Sequence, residues 1–209
     1  MSETTQNRII DMTYIITTIL SLCPMIYGII MWNKLPESMP IHFDANNEPD
    51  RMGPRWVNVY LMPVVLAVLN TVVHLSFNIK AKKRGENPDT KFTYVYKWLV
   101  PIVSFVVNFL VYSYSLGLKL DIVRIVVIIM SLFFIILGNY FPKAEKWMFN
   151  VPVSDEKLPW LKRTIGWSFV ADGIISLAFS FTSFGIWVFL GATLVVTIAI
   201  MFCASKAEN

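Results

Sequence analysis

Pro36-Glu-Ser-Met-Pro-Ile-His-Phe-Asp-Ala-Asn-Asn-Glu-Pro-Asp-Arg-Met-Gly-Pro-Arg55 stands between two apolar runs and sets the reading of the whole chain. It concentrates Pro36, Pro40, Pro49 and Pro54, four carboxylates, two arginines and one of the two histidines. A segment that merely joins helices does not need that chemistry. The prolines restrict the backbone and lower the entropy cost of holding one shape. Asn46-Asn47 suits a turn with positive φ, a region Asn tolerates. The plain reading is an ordered cap whose charges pair with one another.

Working outward, the surroundings are apolar. Of 209 residues, 56% are hydrophobic and 15% charged, with a mean hydropathy of +0.57. A soluble domain carries about 25% charged residues, and a chain this apolar cannot cover itself with polar groups in water. Runs of about 20 residues suffice to cross a bilayer. Six are predicted: 9–31, 57–79, 94–116, 122–137, 166–181 and 184–203, the fourth short unless it borrows flanking residues. Pro24 is a predicted kink in the first. That first run is too long for the apolar core of a signal peptide. Backbone polar groups cannot stay unpaired in hydrocarbon, so each span must be helical. The expected fold is an all-α polytopic membrane bundle, one integral membrane domain over residues 1–209. Its outer loop is 32–56 and its cytoplasmic loops are 80–93 and 139–165.

Charge sets the expected orientation. Lys80, Lys82, Lys83, Arg84 and Lys91 follow the second run, and Lys143, Lys146, Lys157, Lys162 and Arg163 follow the fourth. Lys and Arg concentrate on the cytoplasmic side, which places both segments inside and Pro36–Arg55 outside. Six crossings then leave both termini inside, with which Arg8 and Lys206 agree. The Lys80–Arg84 cluster suits anionic lipid headgroups, and no nucleic-acid partner is implied. Cys23 and Cys203 both lie in apolar runs and read as packing residues.

The chemistry-bearing candidates are few. Asp44, Asn46, Glu48 and Asp50 alternate like the start of a calcium loop. Pro49 then occupies the place of the turn glycine, and Arg55 that of the closing acid. His42 with Asp44 gives only two ligands, so no metal or other cofactor is expected. Nucleophile, zinc-protease and phosphate-loop motifs are absent, which points away from an enzyme. Within the runs stand Asn70, His74, Asn108 and Asp172. Asn70 and His74 share a helix face at i, i+4, and His74 and Asp172 have similar predicted depth and could pair. Such groups either bond between helices or carry protons or ions.

The pattern Leu35-Pro36-x-x-Met39-Pro40-Ile41-His42-Phe43-Asp44-x-x-Asn47-x-x-Asp50-Arg51-x-Gly53 resembles the N-terminal signature of the SdpI-type membrane protein family. Gly138-Asn139-Tyr140-Phe141-Pro142-Lys143 is similar to a second element of that family. Ser154-Asp155-Glu156 with Trp160-x-Lys162-Arg163 is similar to a third. Asp44 stands where the family has Asn, and Asn47 where it has Gly. The family's Gly-Ile-Arg-x-Pro-Trp element is reduced to Phe149-Asn-Val-Pro152, and the histidine after its Trp is missing. The resemblance implies a six-span protein of a bacterial cytoplasmic membrane, in a family known mainly from Firmicutes. It implies immunity against a secreted killing peptide, and a membrane-receptor role for a transcriptional repressor. Pro40, His42, Asp44, Asn47, Asp50 and Arg51 would then meet the toxin. Asn139, Pro142, Lys143, Trp160 and Arg163 would form the cytoplasmic surface. A small proton- or ion-linked transporter using Asn70, His74, Asn108 and Asp172 is the alternative, and a metal-dependent hydrolase a third.

Overall fold

In a computed structural model, residues 10–149 and 154–208 are described. Arg8 and residues 150–152 of the shortened family element therefore lie outside them, as does the side chain of Lys206. The chain is mostly helical. In order it forms α1 (Met12–Ile30), β1 (Ser38–Phe43), β2 (Pro49–Pro54), a π turn (Val57–Leu61), α2 (Met62–Arg84), α3 (Lys91–Ser115), α4 (Ile122–Tyr140), α5 (Leu158–Phe179) and α6 (Gly185–Glu208). Short 3-10 turns at Phe141–Lys143 and Lys146–Met148 follow α4.

Five helical stretches, Met12–Ile30, Val57–Arg84, Lys91–Ser115, Ile122–Lys143 and Gly185–Cys203, are long and apolar enough to cross a membrane. They mark a multi-pass membrane protein. The fourth reaches that length by borrowing flanking residues, as expected. The fifth predicted run is the exception. It lies in α5, which begins at Leu158 rather than Gly166 and carries Lys162, Arg163 and Asp172. Pro159 at its start has no N–H to lose there and presets φ, which favours this earlier beginning.

The chain divides into two compact units. The first runs to Pro88 and adds Lys97–Ile122, and the second holds Asp89–Tyr96 and the residues from Val123 on. In the first unit, α2 continues through Lys80–Arg84, which the sequence reading assigned to a loop. Three bases in its last turn oppose the negative helix end, and Gly85 closes it at φ 70°. In the second unit, Thr90 caps α3 through the Thr93 N–H at 3.2 Å. There α4 and α5 approach backbone to backbone. A Cβ on Gly138 would sit 2.4 Å from the Gly166 carbonyl oxygen, and one on Gly173 would sit 2.5 Å from that of Ser131. Small residues permit such packing between membrane helices.

The expectation of an all-α chain needs one correction, since the proline-rich segment is an antiparallel β-hairpin. Ser38 pairs with Pro54, Met39 with Gly53, Pro40 with Met52, His42 with Arg51 and Phe43 with Pro49. Two register irregularities flank the His42 pair. Proline cannot donate to a ladder. A two-stranded sheet consists only of edges, which is why it tolerates Pro40, Pro49 and Pro54.

Candidate functional site

The hairpin and the polar interior below it, all within the first unit, form the candidate site. The turn builds itself from Asp44. Its Oδ1 accepts the backbone N–H groups of Asn46 and Glu48, each at 2.9 Å. The Glu48 and Asn46 N–H groups hold this carboxyl below the usual carboxylate range. Asn47 takes φ 65°, the backbone the sequence led one to expect there, and its amide donates to the Leu120 carbonyl at 2.9 Å.

One side of the hairpin is an anchor. Met39 is fully buried and packs with Leu35, Val59 and Tyr112. The buried Asn58 amide donates to the Pro40 carbonyl at 3.1 Å, and the Asn58 carbonyl accepts from the Tyr112 hydroxyl at 3.2 Å. Arg55 donates to the carbonyls of Trp32 and Leu35 at 2.5 and 2.9 Å, and its guanidinium lies 4.4 Å from the Trp32 ring centre. Phe43 meets Tyr114 edge to face at 5.0 Å. Arg55 is thus a structural clamp.

The other side faces outward. Ile41, His42, Asp50, Arg51 and Met52 are all exposed or partly so. His42 Nδ1 and Asp50 Oδ1 stand 2.6 Å apart. The irregular register brings this pair together across the hairpin, because a bulge re-aims the side chains beside it. Of the candidates in this segment, Pro40 and Asn47 are anchors. His42, Asp44, Asp50 and Arg51 are available to a partner.

Below the hairpin, polar side chains follow one another through the unit's interior. Asn70 donates to Thr17 at 3.1 Å and Thr18 at 3.0 Å, and His74 Nε2 shares a 3.0 Å hydrogen bond with Thr17. The i, i+4 spacing on α2 therefore brings Asn70 and His74 to the same residue of α1. Ser104 donates to the Ser21 carbonyl, and Asn108 to the Ser104 carbonyl, both at 2.8 Å.

One group escaped the sequence reading. Asp11 caps α1 by accepting the Tyr14 N–H at 2.6 Å. Its other oxygen accepts from Asn78 on α2 at 2.9 Å and from Lys97 on α3 at 3.2 Å. Lys97 has no exposed surface. One carboxylate thus ties three helices together. The signal was present in the sequence: opposite charges near the same end of the first and third apolar runs.

The remaining candidates belong to the second unit. Asp172 is buried on α5 and accepts from Ser176 at 3.0 Å. Asn139 is in the last turn of α4, Pro142 and Lys143 form the 3-10 turn after it, and all three are exposed. Lys143 lies 4.2 Å over the Tyr140 ring. Trp160 and Arg163, expected in a loop, stand on the first turns of α5. Among the described residues, no group of three or more His, Cys, Asp or Glu side chains could hold a metal ion.

Residues 19–67 match the family described as a domain of unknown function, DUF1648. That segment runs from within α1 through the hairpin to the start of α2. An uncharacterized protein of Archaeoglobus fulgidus is 33% identical over 48 residues, which is 23% of this chain and 26% of the archaeal protein. This similarity therefore spans about a quarter of either chain. No solved structure matches.

Proposed function

We propose that the chain crosses a bacterial cytoplasmic membrane six times, with both termini inside, and protects its producer against a secreted peptide toxin. The hairpin is the outer recognition surface. The observation behind this reading is its two-sidedness. Met39, Pro40, Asn47 and Arg55 hold it on the helices, while His42, Asp50 and Arg51 face away with Ile41 and Met52 beside them. Such a surface combines charge with apolar area on a rigid base, so little ordering entropy is lost on binding. The similarity to the SdpI-type signature supplies the kind of partner. Asn139, Pro142 and Lys143 offer an exposed surface for a cytoplasmic repressor.

The test is protection. Sensitive cells expressing the chain should survive the peptides of the producing strain. Replacing His42 or Arg51 by Ala should lower survival while membrane insertion is retained. Full sensitivity with a correctly inserted protein would exclude the immunity reading. A second reading, a proton- or ion-linked transporter, draws on the buried sequence Asp11–Lys97, His74–Thr17–Asn70 and Ser104–Asn108. Proton flux in liposomes that His74→Ala abolishes would favour it over immunity.

A further inference from the structure

The first half of α5 carries a groove that the function proposed above does not use. It is an open groove of about 780 Å³ lined by Glu156, Pro159, Trp160, Arg163, Thr164, Trp167, Ser168 and Ala171. On α5 these residues recur at intervals of three and four, one face of the helix. Trp160 and Trp167 are largely exposed, and Trp167 shows 71% of its surface. Among the described residues, neither the Arg163 nor the Glu156 side chain has an ion-pair or hydrogen-bond partner. Beyond Ala171 the same side continues into Ile174 and Ile175, both exposed.

The order of chemistry along this face is that of a phospholipid. An anion, an indole and a cation come first (Glu156, Trp160, Arg163), then a second indole (Trp167), then the aliphatic side chains of Ala171 and Ile174. Indoles prefer the membrane–water interface, and a guanidinium binds phosphate by paired hydrogen bonds. One acid with one base makes the polar end zwitterionic rather than basic, so it complements a head that carries both a phosphate and an amine. A water-borne peptide would leave the aliphatic end of the groove uncovered. We propose that this groove binds phosphatidylethanolamine, with the phosphate on Arg163, the ammonium on Glu156 and an acyl chain along Trp167, Ala171 and Ile174.

This rests on α5 crossing the membrane. Cysteine labelling of the Ile174→Cys variant tests that separately, since a residue within the bilayer should resist water-soluble maleimide from both sides. For the site itself, full-length protein freed of lipid is titrated with phosphatidylethanolamine, phosphatidylglycerol and phosphatidylcholine in native mass spectrometry. Phosphatidylethanolamine should be retained best. Arg163→Gln should weaken it roughly tenfold, the scale of one lost charge-assisted contact. Glu156→Gln should reduce it to the level of the other lipids. Trp167→Ala, checked for retained helicity, should weaken all three. Equal retention of phosphatidylglycerol by the unsubstituted protein, or no change with Arg163→Gln, overturns the proposal. So does a dimer that Arg163→Gln dissociates, because a second copy would then fill the groove.

Discussion

At the scale of single residues, Asp11 and Lys97 carry the strongest expectation. Lys97 is fully buried and the Asp11 side chain is 13% exposed, and removing one member of a buried pair costs up to about 3–5 kcal/mol. Lys97→Met should therefore lower the unfolding midpoint in detergent markedly. Asp11→Asn should do the same through loss of the charge opposite Lys97, since an Asn side chain can still cap α1. The double variant should recover part of the loss, because replacing both charges removes the uncompensated one. A double variant worse than the sum of the singles would show that the pair does not couple this way. Asp44 gives a pH expectation. Its folded pKa is lowered, with the Glu48 N–H as the main cause, so the ionised carboxylate stabilises the turn. That contribution is present above the ordinary Asp value of about 3.9 and is lost as pH falls through the lower folded value. Amide protection at Asn46 and Glu48 should fall over that acid range, and Asp44→Ala should abolish the pH dependence.

At the scale of elements, the hairpin was the hardest part to read from sequence and the helices the easiest. Its prolines deny a strand pattern, and its inward and outward residues do not alternate cleanly. Asn47 alone announced its positive φ. Strand pairing here depends on Asn58 and Arg55, which bind hairpin and preceding loop from outside the strands. Arg55→Ala should leave the helices intact but expose residues 36–54 to proteolysis. Unchanged protease resistance would show that Met39 burial alone suffices. In the second unit, α4 and α5 meet at glycines. Gly138→Leu should cost at least about 1–3 kcal/mol, the usual scale of overpacking, because the obstructing atom is the Gly166 backbone oxygen. Gly191, with open space around it, should accept Ala without comparable loss.

At the scale of the whole molecule, the six crossings proposed above make a sharp prediction about sidedness. A cysteine placed at Ala45 should react with an impermeant reagent from outside. One placed at Asn87 should react only after the membrane is opened. Reaction of both from one side would remove the six-span topology. The exceptional element is α5, whose charges keep it apart from the five plainly apolar stretches. In the six-span reading its membrane half would run from Gly166 onward, with the basic turns before it an extension of the same helix.

Composition and the lengths of the apolar runs determined by themselves that this is a multi-pass helical membrane protein, because hydrocarbon leaves a backbone no other partners than its own helix. The same logic placed Asn70 and His74 on one face, since helical spacing is local. Only the tertiary structure decided what those side chains bond to. It also turned the proline-rich cap into a hairpin, made Arg55 a clamp, and joined Asp11 to Lys97, 86 positions apart in the chain. These outcomes depend on which helix faces meet, and that is set by packing between segments distant in sequence.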